Sequence, residues 1–272
     1  MLDRVMELNL GIGDLEIWQA GLLVSAGIGT SIISAIVGMG GGITLLATFL
    51  LFLDPLIAIP LLAVVQLVSN SSRGLIHRNH IQWKILWPYL LPLLPLGWWS
   101  LELAQKLPPD VTRSLIGLFV LVATWRPGWL LLGAHPGHTH PKLRFFGLGI
   151  VAGFLNVTFG ATGPLIAPFF LNLGLSRFQL IGTKAACQMG SHIAKIVIFG
   201  IAGFAYAQWA GLLSVLCLSV IFGTWLGTRI LGHVNEVWFV RLYRLVLTVI
   251  ALSLALESLP AWMGISPSTG PG

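Results

Sequence analysis

Five polar residues share one face of a single apolar segment. In "FQLIGTKAACQMGSHIAKIVIFG", residues 178–200, they are Lys184, Gln188, Ser191, His192 and Lys195, spaced by threes and fours. Wound as an α-helix, that spacing gathers them within an arc of about 100°, with the lysines about 16 Å apart along the axis. The segment holds no Asp or Glu. A lysine turned toward hydrocarbon costs several kcal/mol, so such a stripe belongs against protein or an aqueous site. The chemistry on offer is the holding of a small anion. An ammonium supplies charge, amides and hydroxyls supply orientation, and His192 is the candidate carrier of a coupled proton, since carboxylates are missing. The competing reading for both lysines is snorkelling, because each lies near an end of the segment.

A second segment repeats the pattern. Along 56–75, Gln66, Ser69, Asn70 and Arg73 fall on one helical face. Shifting the chain by 122 residues superposes Ala63, Gln66 and Ser69 on Ala185, Gln188 and Ser191, and Arg73 on Lys195. At a shift of 126, Gly97 and Trp99 meet Gly223 and Trp225. The matches keep one order, so the chain reads as two related halves. They are an N-terminal repeat over 1–132 and a C-terminal repeat over 145–272, joined by the Pro/His/Gly-rich loop 133–144.

Each half contains a backbone break. "SAIVGMGGGITLLATF", residues 34–49, places four glycines in five positions, and each costs a helix roughly 1 kcal/mol relative to alanine. The same 122-residue shift lays "GMGGGI" on "GATGPL" at 160–165 within "NVTFGATGP", where Pro164 suits the first turn of a new helix. Irregular backbone at membrane depth is tolerated only where protein buries it or water reaches it. Half-helices beginning near Gly42 and Pro164 would aim free N–H groups and a positive dipole end at the breaks. Gly40, Gly41, Gly42 and Gly160–Gly163 would let amides approach an anion, with Thr44, Thr158 and Thr162 adding hydroxyls. The bland alternative is close helix packing.

What must position these residues is a membrane domain. Of 272 residues, 56% are hydrophobic and 9% charged, against about 25% charged in ordinary soluble domains. Apolar stretches near 17–36, 56–72, 85–105, 111–131, 145–175, 178–200, 208–230 and 240–258 suit membrane passage. The fold class is all-α and polytopic, with the bilayer as partner. The acidic stretch Met1 to Glu16 does not read as a cleaved signal peptide. Two topologies compete. If 17–53 and 145–175 are each one broken span, eight crossings run parallel halves. If each is a glycine-broken hairpin followed by three crossings, the halves are inverted. In the hairpin arrangement one side carries Arg73, Arg78, Lys84, Arg126, Lys142, Arg144, Arg177, Arg229, Arg241 and Arg244. The other carries only Arg4, Lys106 and Arg113. That is the asymmetry a cytoplasmic face shows. The eight-crossing arrangement divides the cations almost evenly. The inverted arrangement is therefore expected, with both termini outside the cytoplasm.

Other features read as background. A pI near 9.8 reflects cations at helix ends rather than a nucleic-acid partner. Cys187 and Cys217 lie inside spans as packed thiols. The histidines of "HPGHTH" read as a solvated linker rather than a metal site, and no cofactor is implied. Trp83, Trp87, Trp125, Trp129, Trp209, Trp238 and Trp262 read as interfacial anchors, and Trp98, Trp99 and Trp225 as packing residues within spans, with cavity lining as the alternative. An intramembrane hydrolase is a weak alternative. Ser191 and His192 diverge by about 100° around a helix, too far apart to serve as nucleophile and base, and no G-x-S-x-G occurs.

The two-copy pattern, "GMGGG" with "GATGPLIAPF" at 160–169 and the paired Q-x-x-S, resembles the TauE/SafE family of membrane permeases over roughly 17–258. The resemblance implies a secondary transporter, generally an exporter, for sulfite, thiosulfate or an organosulfonate across the bacterial cytoplasmic membrane, with an anion channel as the alternative. The chain departs from the family pattern at Ala161-Thr162, where glycine is usual, and at Leu46, which stands where the second copy has Pro168. The expected substrate-binding set is Gly40, Gly41, Gly42, Thr44, Gln66, Ser69, Asn70, Thr162, Gly163, Lys184, Gln188, Ser191 and His192, with Lys184 as the central, unpaired charge. Oligomeric state is left open.

Overall fold

The computed structural model of the chain describes residues 11–13, 15–37, 41–126, 128–129, 140–160, 163–170, 173–230 and 236–257. Among them every regular element is helical. The first half holds α1 (Ile17–Val37), α2 (Gly41–Phe49), α3 (Pro55–Ile76), α4 (Trp83–Leu90), α5 (Leu93–Ala104) and α6 (Pro109–Trp125). The second holds α7 (Pro141–Thr158), α8 (Gly163–Ile166) with a 3-10 turn at Ala167–Phe170, α9 (Arg177–Ile201), α10 (Ala210–Ile230) and α11 (Glu236–Glu257). Residues 133–139 of the expected linker lie outside the described residues. The linker's last four residues instead open α7, with Pro141 at its start.

Local chemistry explains the boundaries. Pro92 has no N–H to offer the Pro88 carbonyl, so the stretch expected as one span over 85–105 divides into α4 and α5. Ser176 and Gln179 form a reciprocal capping box at the start of α9, at 3.3 and 3.0 Å. Hydroxyls inside the apolar helices bond backward, as Thr124 does to the Val120 carbonyl at 2.7 Å. The four α-helical residues of α8 pass into the 3-10 turn at Ala167. Pro168 cannot donate to the Pro164 carbonyl there, whereas Leu46 at the matching position lets α2 run for nine residues. The half-helix near Pro164 is therefore much shorter than the one near Gly42.

Both opening segments are hairpins. Trp18 at the start of α1 stacks edge-on against Phe52 beyond α2, with centroids 5.6 Å apart. Phe145 near the start of α7 does the same with Phe170, at 4.9 Å. Where the first hairpin closes, Arg113 on α6 donates to the Leu53 carbonyl at 3.3 Å and to Asp54 at 3.1 Å. The Asp54 side chain is 56% exposed, so Asp54→Asn is expected to cost under about 1 kcal/mol, read as a small shift in melting temperature.

The halves exchange equivalent contacts. Along α3, Gly74 lies against Met189 of α9, while His77 lies against Gly182 and Phe178. Advancing on one helix means retreating on the other, so α3 and α9 are antiparallel. Helices α6 and α11 are antiparallel too, since Gly117 faces Ala251–Ala255 and Trp125 donates to Thr248 at 2.9 Å. By contrast, α1 runs parallel to α10, and α7 runs parallel to α4 and α5. The repeat supplies both of these parallel crossings with matching glycines. A Cβ on Gly27 would press on Ser219 and one on Gly223 on the Ile28 carbonyl. Their equivalents, Gly149 and Gly97, would press on the Tyr89 carbonyl and on Ile198. Small residues let these backbones approach closely.

The outward faces are apolar. Leu118, Leu218, Ile221, Phe222, Val249 and Leu252 are exposed, the pattern of helices solvated by lipid rather than water. By themselves Ile17–Ala35 and Tyr206–Ile230 are long and apolar enough to cross a bilayer. Trp98, Trp99 and Trp225 join the outer surface, 38–71% exposed, instead of packing inside. Trp209 goes the other way. Expected as an anchor, it is buried, with its ring lying over Gly13. Trp83, Trp87, Trp125 and Trp129 are exposed. Trp262 lies outside the described residues, as does the side chain of Trp238.

Candidate functional site

The crossing of α3 and α9 brings the two polar stripes to the centre of the fold, where each meets the break of its own half. On the first side the Gln66 amide lies over Gly42, so that a Cβ there would sit 3.2 Å from the amide carbon and nitrogen. On the second, a Cβ on Gly163 would sit 3.4 Å from Gln188 Nε2. Gln66 and Gln188 are repeat equivalents, so one arrangement has been built twice. Both are half-buried. Thr44, Ser69 and Asn70 are buried beside them, and Asn70 Nδ2 donates to the Gln66 carbonyl at 2.8 Å. Gly40 and Thr162 lie outside the described residues.

The second break also touches the first half. Gly160 adopts a left-handed backbone, φ 70°, which glycine enters without the Cβ penalty other residues pay. Its Cα is lodged against Leu46 of α2 and Ile59 of α3, where a Cβ would meet Leu46 at 2.8 Å and Ile59 at 3.2 Å. The tip of the second hairpin therefore rests on the inner arm of the first.

Two expectations change. Gly41 serves close packing, because a Cβ there would run into the Thr30 carbonyl and the Ser34 side chain of α1. Thr158 turns away from the break and shares a hydrogen bond with Ser100 of α5. The lysines divide as well. Lys184 is half-buried and engaged within the protein, not an unpaired charge. Lys195 is fully buried, and its Nζ donates to the Gly160 carbonyl at 2.7 Å. It does not snorkel, because Gly160 at the second break presents a carbonyl that its amine reaches inside the protein.

A buried polar ladder links α9 to its neighbours. Ser191 Oγ and the Tyr89 hydroxyl are 2.6 Å apart. Asn156 Nδ2, on α7 one turn before Gly160, donates to the Ser191 carbonyl at 3.0 Å. Asn156 Oδ1 and His192 Nδ1 are buried without a hydrogen-bond partner, in residues 2% and 8% exposed. Such orphaned atoms cost free energy unless something else completes them. Asn156, Tyr89 and Lys195 were absent from the expected set. Asn156 is a lone amide in an apolar run just ahead of the break, which is a readable signal. Tyr89 has none, because only tertiary packing brings α4 to Ser191.

Each half thus sets a carboxamide against a glycine of its own hairpin, and a buried lysine amine holds the second break. Among known protein families, the one described as "Sulfite exporter TauE/SafE" matches residues 23–254. No curated protein and no solved structure matches the chain.

Proposed function

The chain belongs to the sulfite exporter TauE/SafE family, and on that premise we propose that it exports a small sulfur-containing anion by alternating access. Membership makes it a membrane transporter and not an enzyme. The proposed cargo is sulfite, thiosulfate or an organosulfonate, bound between the two hairpin breaks in the bacterial cytoplasmic membrane. The observation that carries this reading is the duplicated placement of Gln66 over Gly42 and Gln188 over Gly163, with Gly160 seated against the opposite half. Two equivalent walls meeting at one point suit a site exposed alternately to either side.

Inverted halves, spanning 1–132 and 145–272, are part of the proposal. The antiparallel course of α3 against α9 and of α6 against α11 supports it, because each pair joins repeat equivalents. Two hairpins that each return to their starting end support it again, and so does the asymmetry of basic residues. In this scheme Gln66, Gln188, Ser69, Asn70 and Ser191 line the path, His192 is the candidate proton carrier, and Lys184 draws anions toward one mouth.

The test is counterflow in proteoliposomes loaded with sulfite or a sulfonate. Saturable uptake accelerated by unlabelled anion on the opposite side is expected. Flux that neither saturates nor exchanges would replace the carrier with an anion channel. Lys184→Met is expected to raise KM about tenfold by removing local positive potential. An unchanged KM would take Lys184 out of the pathway.

A further inference from the structure

We propose that Lys195 is the counter-charge of the transported ion and restricts the site to singly charged anions. This rests on the transport reading above and narrows its substrate class to hydrogensulfite and organosulfonate monoanions, leaving out thiosulfate, a dianion.

Lys195 is among the largest fully buried side chains of the protein. Helices α2, α3, α4, α7, α8 and α9 contain no Asp or Glu. The nearest element with a carboxylate is α5, whose Glu102 is exposed and accepts from Trp98 Nε1 at 2.9 Å. Among the described residues the hydrogen bond of Lys195 is to a neutral carbonyl, that of Gly160. An ammonium has three donors, so it can keep that carbonyl and still receive an anion. A buried charge is ordinarily paired. A helix crossing that buries a lysine amine and whose own helices hold no carboxylate is arranged for a mobile anion.

The orphaned atoms lie on the same ladder. Asn156 and Gly160 are one turn apart on the α7 side, and Ser191 and Lys195 one turn apart on α9, joined rung by rung at 3.0 and 2.7 Å. On the same two helices, His192 Nδ1 and Asn156 Oδ1 are buried without a hydrogen-bond partner. The described neighbours of Gly160 are apolar, with Leu46 and Ile59 against it, and Val157 is fully buried. The side chain of Arg73, the repeat counterpart of Lys195, lies outside the described residues, and among the described side chains one positive charge in such a setting compensates one negative charge. A second negative charge would be left buried without a partner, which is strongly unfavourable. Lys184 does not supply the balance, being about 16 Å away along the axis.

The experiment measures ligand-induced stabilisation of the purified full-length protein in lipid nanodiscs. Methanesulfonate is the monoanionic probe and sulfate the dianionic one of similar size. Wild-type protein is expected to bind methanesulfonate at least about tenfold more tightly than sulfate, the scale of one charge-assisted hydrogen bond. Lys195→Gln keeps a donor for Gly160 and loses the charge, so it is expected to melt near wild type and bind methanesulfonate about 10- to 100-fold more weakly. Lys195→Arg is expected to retain the preference. Equal binding of sulfate by the wild type overturns the proposal, as does undiminished methanesulfonate binding by Lys195→Gln. Should Lys195→Gln not fold, the wild-type comparison of the two anions decides alone. If acetate binds as well as methanesulfonate and depends equally on Lys195, the charge assignment stands and the sulfur reading falls. If sulfonate transport survives Lys195→Gln unchanged, the sulfur reading stands and this inference falls.

Discussion

Replacing Gly160 with valine is expected to destabilise the protein by about 2–5 kcal/mol and to abolish transport. Two costs add. A residue with a Cβ pays about 1–2 kcal/mol to enter left-handed backbone, and a β-branched one tolerates it worst. The added methyls would also press on Leu46 and Ile59, already 2.8 and 3.2 Å from where a Cβ would stand, and overpacking a tight site costs about 1–3 kcal/mol. The functional loss follows from the carbonyl. Lys195 is held by Gly160 O at 2.7 Å, so distorting the turn displaces the buried ammonium. Gly174 provides the control. It has a similar backbone, φ 65°, but open space around it, so Gly174→Val is expected to pay the backbone cost alone and keep transport. Thermal melting and counterflow on the two variants separate strain from contact. Equal melting temperatures for Gly160→Val and wild type would mean that the hairpin tip does not rest on α2.

Gln66→Leu and Gln188→Leu are each expected to lower kcat/KM for anion counterflow about 10- to 100-fold, the worth of one hydrogen bond to a charged group. Leucine matches glutamine closely in size without its amide. Both side chains are only half-buried, so melting temperatures are expected to shift little. The two should act alike because the repeat places them alike, over Gly42 and near Gly163. Their combination is expected to fall short of the product of the single effects, since both would contact one ion. A variant of either glutamine that transports like wild type would leave a one-sided site.

Much of the architecture is legible in the residues themselves. Apolar run lengths locate the helices, since a backbone in lipid must satisfy its own hydrogen bonds. The 122-residue offset is enough to pair Gln66 with Gln188, and the paired glycine runs mark where the helices break. Proline chemistry accounts for three departures, the start of α7 at Pro141 inside the expected linker, the division at Pro92 and the 3-10 turn at Pro168, because a missing N–H acts on its own turn. What the residues alone did not decide was which neighbour each face meets. Helical periodicity gives direction around an axis and nothing across the gap. It placed Lys184 and Lys195 on one stripe, and only the return of the second hairpin under α9 made Lys195 the buried cation and left Lys184 half-exposed. It treated the glycines as one motif, whereas packing assigned Gly41 to α1, Gly42 to Gln66 and Gly160 to the opposite half. It sent Trp209 outward and Trp225 inward, the reverse of what the helix contacts impose. These outcomes depend on long-range contacts, whose partners a local pattern does not carry.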